Sequence, residues 1–288
     1  MAGLGPVDAA TGGYGDRMRP LTVLLDPAAA DGHRVALASL PDPLRVATGP
    51  GADVVAVSGR APDWPGAAAA AIGSGARGVL VCGPGPADVD AVRRLEQTAS
   101  GRGAVVAVES PAFDATWLAA VGRLSEAVPA AALVGGLLVT DRGLAPGLVA
   151  QLTLVGSLGA LEDVRGGSTG PAGYWISASM AGTPVDLAGI ASPIGARLTV
   201  NVVSEHERWT ASFDRSAPAS PASVTHDDED GAQLGPEHCE PADRAVWRHL
   251  AAALTEGVPL PYTLGDLAGH LEPLARLDQV LASTAAHG

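Results

Sequence analysis

Residues 52 to 110 place the tightest constraint on what this chain can fold into. Three short apolar runs, ADVVAVSG (52–59), GVLVCG (78–83) and AVVAVES (104–110), are separated by two segments of helical character. The first, WPGAAAAAIGSG, is rich in alanine, the best helix former. In the second, PADVDAVRRLEQTASGRG, Ala91, Val92, Leu95 and Ala99 recur at helical spacing, with Asp88 and Asp90 in the first turn. Runs that are apolar throughout belong to a sheet covered on both faces. Strand, helix and strand in alternation are then the crossovers of a doubly wound parallel sheet.

Within this stretch GSGARG (73–78) matches G-x-G-x-x-G, the glycine pattern of dinucleotide-binding loops. That pattern holds a pyrophosphate only when a strand precedes it and a helix follows. Here a helix precedes and a strand follows, so Gly73 and Gly75 read as the end of a helix, and Gly78 as a close entry into the sheet. Upstream, LTVLLD (21–26) and HRVALASL (33–40) read as two further strands. Only PAAADG lies between them, too short for a helical crossover, so no first helix is expected.

From about residue 129 the texture changes. ALVGGLLVTD, LEDVRGG, GYWISASMAG, ARLTVNVVSE and RWTASFD read as strands joined by Gly, Pro and Ser turns, which implies a mainly antiparallel sheet. Helical runs occur at APGLVAQLTLVGSLG, PADRAVWRHLAAALTEG and TLGDLAGHLEPLARLDQVLAS, while the polar, proline-rich stretch 214–243 reads as a surface loop. The expected organisation is a disordered leader (1–17), a truncated Rossmann-like α/β domain (18–128), and an α+β domain with an open sheet and closing helices (129–288).

The net charge of −13 leaves no basic footprint for nucleic acid. No apolar run is long enough to span a bilayer, and the N-terminus lacks a signal-peptide core. Cys82 and Cys239 read as free thiols, so a cytoplasmic protein is expected. All 18 basic residues are arginine, a bias typical of very GC-rich genomes that suggests an actinobacterial source.

The order of these pieces resembles the Gfo/Idh/MocA oxidoreductases over residues 50 to 285. ADVVAVSGRAPDWPGAAAAAIGSGARGVLVCGPG is similar to that family's strand, proline turn, alanine-rich helix and glycine turn leading to a strand that ends in Glu-Lys-Pro. AVVAVESPAFDATW resembles the next strand with its Phe-Asp-x-x-Trp continuation, and TDRGLAPGLVAQLTLVGSLGALEDV the Asp-x-Gly-x-His helix segment. The resemblance implies a Rossmann domain, an α/β domain whose open sheet often forms dimers, and NAD(P) chemistry.

The chain departs from that pattern at its chemistry. Glu-Lys-Pro falls on Cys82, Gly83 and Pro84, and the sequence contains no lysine at all. Asp-x-Gly-x-His-x-x-Asp falls on Asp141, Gly143, Ala145 and Leu148, so the histidine and second aspartate that would serve acid–base work are absent. The fingerprint position after LTVLLD holds PAAADG, with a proline that lacks an N–H and alanines where a pyrophosphate would approach. No cofactor is therefore expected.

Three functions follow from this pattern of loss: a non-catalytic partner subunit of an active relative, associating through the C-terminal sheet; a cofactor-independent cyclase, isomerase or lyase acting on a small metabolite in the old cleft; or an NAD(P) oxidoreductase with a relocated site. For chemistry in the cleft the candidate residues are Glu109 and Asp141 as acid or base and Arg142 as an anion anchor. GGSTG (166–170) matches the serine-hydrolase elbow pattern but is followed by Pro171 and a strand, and reads as a turn. HDDEDGAQLGPEHCE (226–240) lacks repeated ligand spacing and reads as a solvated acidic loop with no metal. His249 and His270 read as surface or packing residues of the closing helices.

Overall fold

The computed structural model describes residues 19–285, apart from 41, 48, 50, 62, 142, 171, 194, 215–221, 237 and 239. The segment expected as a leader therefore lies outside the described residues. Five strands, β1 (Leu21–Leu25), β2 (Leu44–Val46), β3 (Val54–Ser58), β4 (Gly78–Cys82) and β5 (Val105–Val108), form a parallel sheet in the order β2-β1-β3-β4-β5. All five residues of β4 are buried, as a central strand covered on both faces requires.

HRVALASL, expected as a strand, is a helix. After a 3₁₀ turn at Pro27–Ala29, α1 (Ala30–Ala38) crosses from β1 to β2. Its apolar density hid a helical period: His33, Ala36, Leu37 and Leu40 are buried, while Val35 is 69% exposed. The first crossover helix thus exists, contrary to expectation, and the shortening falls one unit later. Only residues 47–53 join β2 to β3, and the sheet edge there leaves Leu24 and Val46 exposed.

The helices of the constraining stretch fall where the sequence puts them. α2 (Trp64–Gly73) ends in the glycine turn, where Gly75 has φ +101°, a conformation side chains rarely adopt. A Cβ on Gly78 would stand 2.7 Å from Leu254 Cδ1, so glycine lets a helix pack on the start of β4. α3 (Val89–Arg102) is capped by Asp88, whose side chain accepts from the Asp90 and Ala91 N–H groups, and α4 (Ala115–Ala127) by Asp114.

The second domain is an eight-stranded sheet, β13-β12-β11-β10-β6-β9-β8-β7, in which β6 (Leu133–Thr140) and β9 (Thr183–Ala191) run parallel and every other pair is antiparallel. The other strands are β7 (Glu162–Gly170), β8 (Gly173–Met180), β10 (Arg197–Val203), β11 (Arg208–Asp214), β12 (Ser223–Asp228) and β13 (Gly231–Leu234). The stretch expected as a loop thus contains a hairpin, β12–β13, paired to β11. Its polar sequence suits an edge at which Val224 is buried and all of β13 is exposed.

One face of this sheet is covered by α5 (Leu144–Gly156) and α7 (Leu264–Ala285), burying Val134, Leu138, Leu187, Leu198 and Val200. The other face presents Leu137, Trp175 and Ile190, each more than 40% exposed. α6 (Ala242–Glu256) returns to the N-terminal sheet, where it packs against α1, β4 and β5. No helix among the described residues is long and apolar enough to cross a membrane.

Candidate functional site

In a doubly wound sheet the ligand crevice opens beyond the carboxyl ends of the strands, where the order of strands reverses. In this chain that point lies between β1 and β3. Asp26, the residue after β1, spans it. Its Oδ1 accepts from the Ala28 N–H at 2.9 Å and its Oδ2 from the Ser58 N–H at 3.4 Å. In nucleotide-binding loops such amide groups receive phosphate oxygens. Here a carboxylate receives them, so the crevice carries a negative charge where a pyrophosphate would need donors.

One strand over, the crevice wall is laced shut. The Gly59 N–H donates to Cys82 O at 2.7 Å, the Gly85 N–H to Gly59 O at 2.8 Å, and the Trp64 indole to Gly85 O at 3.2 Å. The loops that follow β3 and β4 are therefore one hydrogen-bonded unit.

Below these loops lies a buried polar cluster. Glu109, just past β5, accepts on Oε2 from the Gly83 N–H at 2.7 Å and meets His33 Nε2 at 3.2 Å. Cys82, a free thiol at the end of β4, is the third member. One donor atom from each of the three lies within 4.8 Å of the others. The side chains of His33 and Glu109 are only 6% and 13% exposed.

Imidazole, thiol and carboxylate together form a zinc-like donor set. The environment of His33 argues against that use. A ligating histidine donates its second ring N–H to an acceptor, yet His33 Nδ1 faces the Trp247 indole nitrogen at 3.2 Å. An indole N–H can only donate. His33 Nδ1 is therefore an acceptor, and its proton sits on Nε2, directed at Glu109.

The same contact bears on its charge. Burial opposes an imidazolium, while hydrogen bonds to Cys82 and Glu109 favour one. The share from Cys82 requires a thiolate, however, and burial raises the pKa of that thiol. With a donor already on Nδ1, the neutral Nε2–H imidazole fits the geometry. Cys82, held as a buried thiol facing an N–H rather than a free base, lacks the activation that reactive cysteines need.

Of the three residues proposed from the sequence for chemistry in the cleft, only Glu109 joins this cluster, beside Cys82. Asp141 stands exposed beyond β6, and no contact among the described residues links it to Glu109. Arg142 and Cys239 lie outside the described residues. GGSTG falls within β7, so no strand-to-helix elbow forms there. His226 stacks on Trp209 and pairs with Glu207, and Glu240 is held by Arg244 and Arg248. His249 packs against Phe113, and His270 meets the Tyr262 hydroxyl at 3.1 Å, both as packing residues. Sequence reasoning missed His33 because it was placed on a strand; its spacing with Ala36, Leu37 and Leu40 was the available signal.

No family model matches the sequence, and no curated protein sequence does. Solved structures match the fold across both domains. GenD2 from gentamicin A biosynthesis, in complex with NAD, is 17% identical with a TM-score of 0.69, covering 97% of each chain. KijD10, a 3-ketoreductase from Actinomadura kijaniata in complex with NADP, is 16% identical with a TM-score of 0.66, covering 91% of this chain and 97% of its own. UDP-N-acetylglucosamine 3-dehydrogenase GnnA from Acidithiobacillus ferrooxidans is 13% identical with a TM-score of 0.67, covering 90% and 97%.

Proposed function

We propose that this chain, which has the two-domain fold of the Gfo/Idh/MocA-type oxidoreductases, is a pseudo-oxidoreductase. It does not use NAD(P), and it serves as a non-catalytic partner subunit of an active relative. The observation that carries this reading is Asp26, whose carboxylate takes the amide donors at the switch point. Two like charges about 4 Å apart at the edge of a protein repel by on the order of 4 kcal/mol, roughly a thousandfold in affinity. The absence of lysine removes the usual cofactor and substrate contact of the resembling family as well.

Association through the second sheet is supported by its uncovered face. Leu137 lies opposite Ala188, which lies opposite Trp175, and Val139 lies opposite Ile190, forming a contiguous apolar patch. Such a patch on an open sheet is a liability unless a partner covers it. The test of the cofactor reading is NADH fluorescence. Adding the protein leaves the emission of NADH unchanged in this account, and a saturable enhancement at micromolar protein overturns it.

A second reading rests on Glu109. A nearly buried carboxylate at the mouth of a parallel sheet, gripped by Gly83 and His33, is placed to act as a base in a cofactor-independent enzyme. In that case Glu109→Gln abolishes turnover of the substrate while the protein stays folded. Full activity in this variant removes the reading.

A further inference from the structure

The β13 edge of the second sheet stands beside two adjoining hollows. The first, a cavity of about 250 Å³, lies between the sheet and α4, with Ala119 and Ala120 on one wall and Val224, His226 and Gln233 on the other. His226 also lines the second, a more open basin of about 520 Å³. That basin is acidic: Glu205, Glu207, Asp228, Glu229 and Asp230 surround it. Its histidines, His206 and His226, each lie against two of these carboxylates.

β13 is the last strand of the sheet, and among the described residues no strand pairs with its outer side. The Gly235 N–H donates to Val224 O at 2.7 Å. In an antiparallel ladder, pairs that exchange hydrogen bonds alternate with pairs that do not. Gln233 and Gly231 therefore bond inward to His226 and Asp228, which they oppose in the register. Ala232 and Leu234 turn their N–H and C=O groups outward, along the open edge. Natural sheet edges are commonly blunted by charge, proline or a bulge. β13 reads GAQL, with neither charge nor proline, and pairs in unbroken register. Leu234 is 61% exposed.

We propose that β13 binds an extended segment of a partner protein, added to the sheet as a further antiparallel strand, with an apolar side chain in the cavity and a basic one in the acidic basin. Edge addition of this kind takes affinity from main-chain hydrogen bonds and specificity from pockets that receive alternate side chains. Antiparallel pairing is the more stable per residue. Alternate residues of a strand share a face. The segment's residue opposite Gln233 thus lies over the cavity, and the one opposite Gly231 follows two positions later. Gly231 has no side chain, which clears a path for a long basic side chain to Asp228, directly across the register. The recognised pattern is apolar-x-basic. Charge sets that order, because five carboxylates surround the basin while Arg123 lines the cavity and repels a cation there.

The test titrates the ¹⁵N-labelled full-length protein with the capped peptide Gly-Thr-Thr-Leu-Thr-Lys-Thr-Gly and follows the amide resonances of Ala232 and Leu234. Both are expected to shift saturably, with a dissociation constant below about 1 mM. Methylating the peptide nitrogen of the threonine between leucine and lysine removes a donor to Ala232 O, and replacing the lysine with glutamate reverses the charge. Each change is expected to weaken binding about tenfold or more. Leu234→Pro deletes an N–H that β12 does not use, a position where an edge strand tolerates proline, and is expected to abolish binding. The modified peptides give the same information in the native protein if that variant does not fold. No shift up to about 5 mM peptide overturns the proposal, as does equal binding of the methylated or the glutamate peptide. Shifts of these two amides on dilution of the protein alone place a second copy at the edge and overturn it as well.

Discussion

At the scale of single residues, the account turns on Asp26 and His33. Neither announced itself in the sequence. A lone aspartate after a strand fits no motif, and its effect comes from which two amides the fold brings to its oxygens. His33 became legible only when its segment folded as a helix and α6 delivered Trp247 from the far end of the chain. The proton on His33 is a direct check of this geometry. Imidazole ¹⁵N resonances show a neutral ring with its proton on Nε2 from about pH 5 to 8 in the native protein. Replacing Trp247 with Phe frees Nδ1 and lets His33 take a second proton. A doubly protonated ring across that range in the native protein refutes the assignment. His33→Leu strands the Trp247 N–H and one bond to the Glu109 carboxylate, and costs about 2–4 kcal/mol in urea unfolding; a loss under about 1 kcal/mol shows that the cluster does not stabilise the fold.

Elements were more legible than residues, and where the reading failed the cause is physical. The four strands β1, β3, β4 and β5 stood out because buried parallel strands are apolar throughout, α2 because it is rich in alanine, and α3 because it is capped by Asp88. HRVALASL failed because a short helix buried on one side, with an exposed valine on the other, has the composition of a strand. β12 and β13 failed because an edge hairpin buries too little to leave a period. The segment that follows this hairpin is tied to α6 by Glu240, which meets Arg244 and Arg248 through several hydrogen bonds. Burial alone would raise this carboxyl's pKa, but the hydrogen bonds and charges of Arg248 and Arg244 outweigh it and hold the pKa below the ordinary value. A depressed folded-state pKa means the stabilisation is fully present above the unfolded value, near 4.3, and lost as pH falls through the folded one. Glu240→Gln therefore costs about 1 kcal/mol at pH 7. The gap between variant and native protein closes as the pH drops below about 4. A gap that persists unchanged to pH 3 in urea titrations contradicts the assignment.

For the whole molecule, the sequence indicated two sheets of different character and the resemblance indicated their order. The structure adds that α6 and α7 return from the second sheet to pack on the first domain, which no local pattern reveals. The uncovered face of the second sheet leads to a prediction about assembly. If a partner covers Leu137, Trp175 and Ile190, then Leu137→Glu, which places a charge in the middle of the patch, lowers the mass seen by light scattering or abolishes capture of an active paralogue. An unchanged assembly in that variant moves the interface elsewhere. The central claim is that the fold has kept the architecture of a dinucleotide-binding oxidoreductase while a carboxylate occupies its phosphate donors. Calorimetric titration of the native protein with NAD(H) and NADP(H) tests it most directly. The account predicts no saturable heat at micromolar dinucleotide, whereas a binding curve that saturates at low micromolar concentration with any of the four contradicts it.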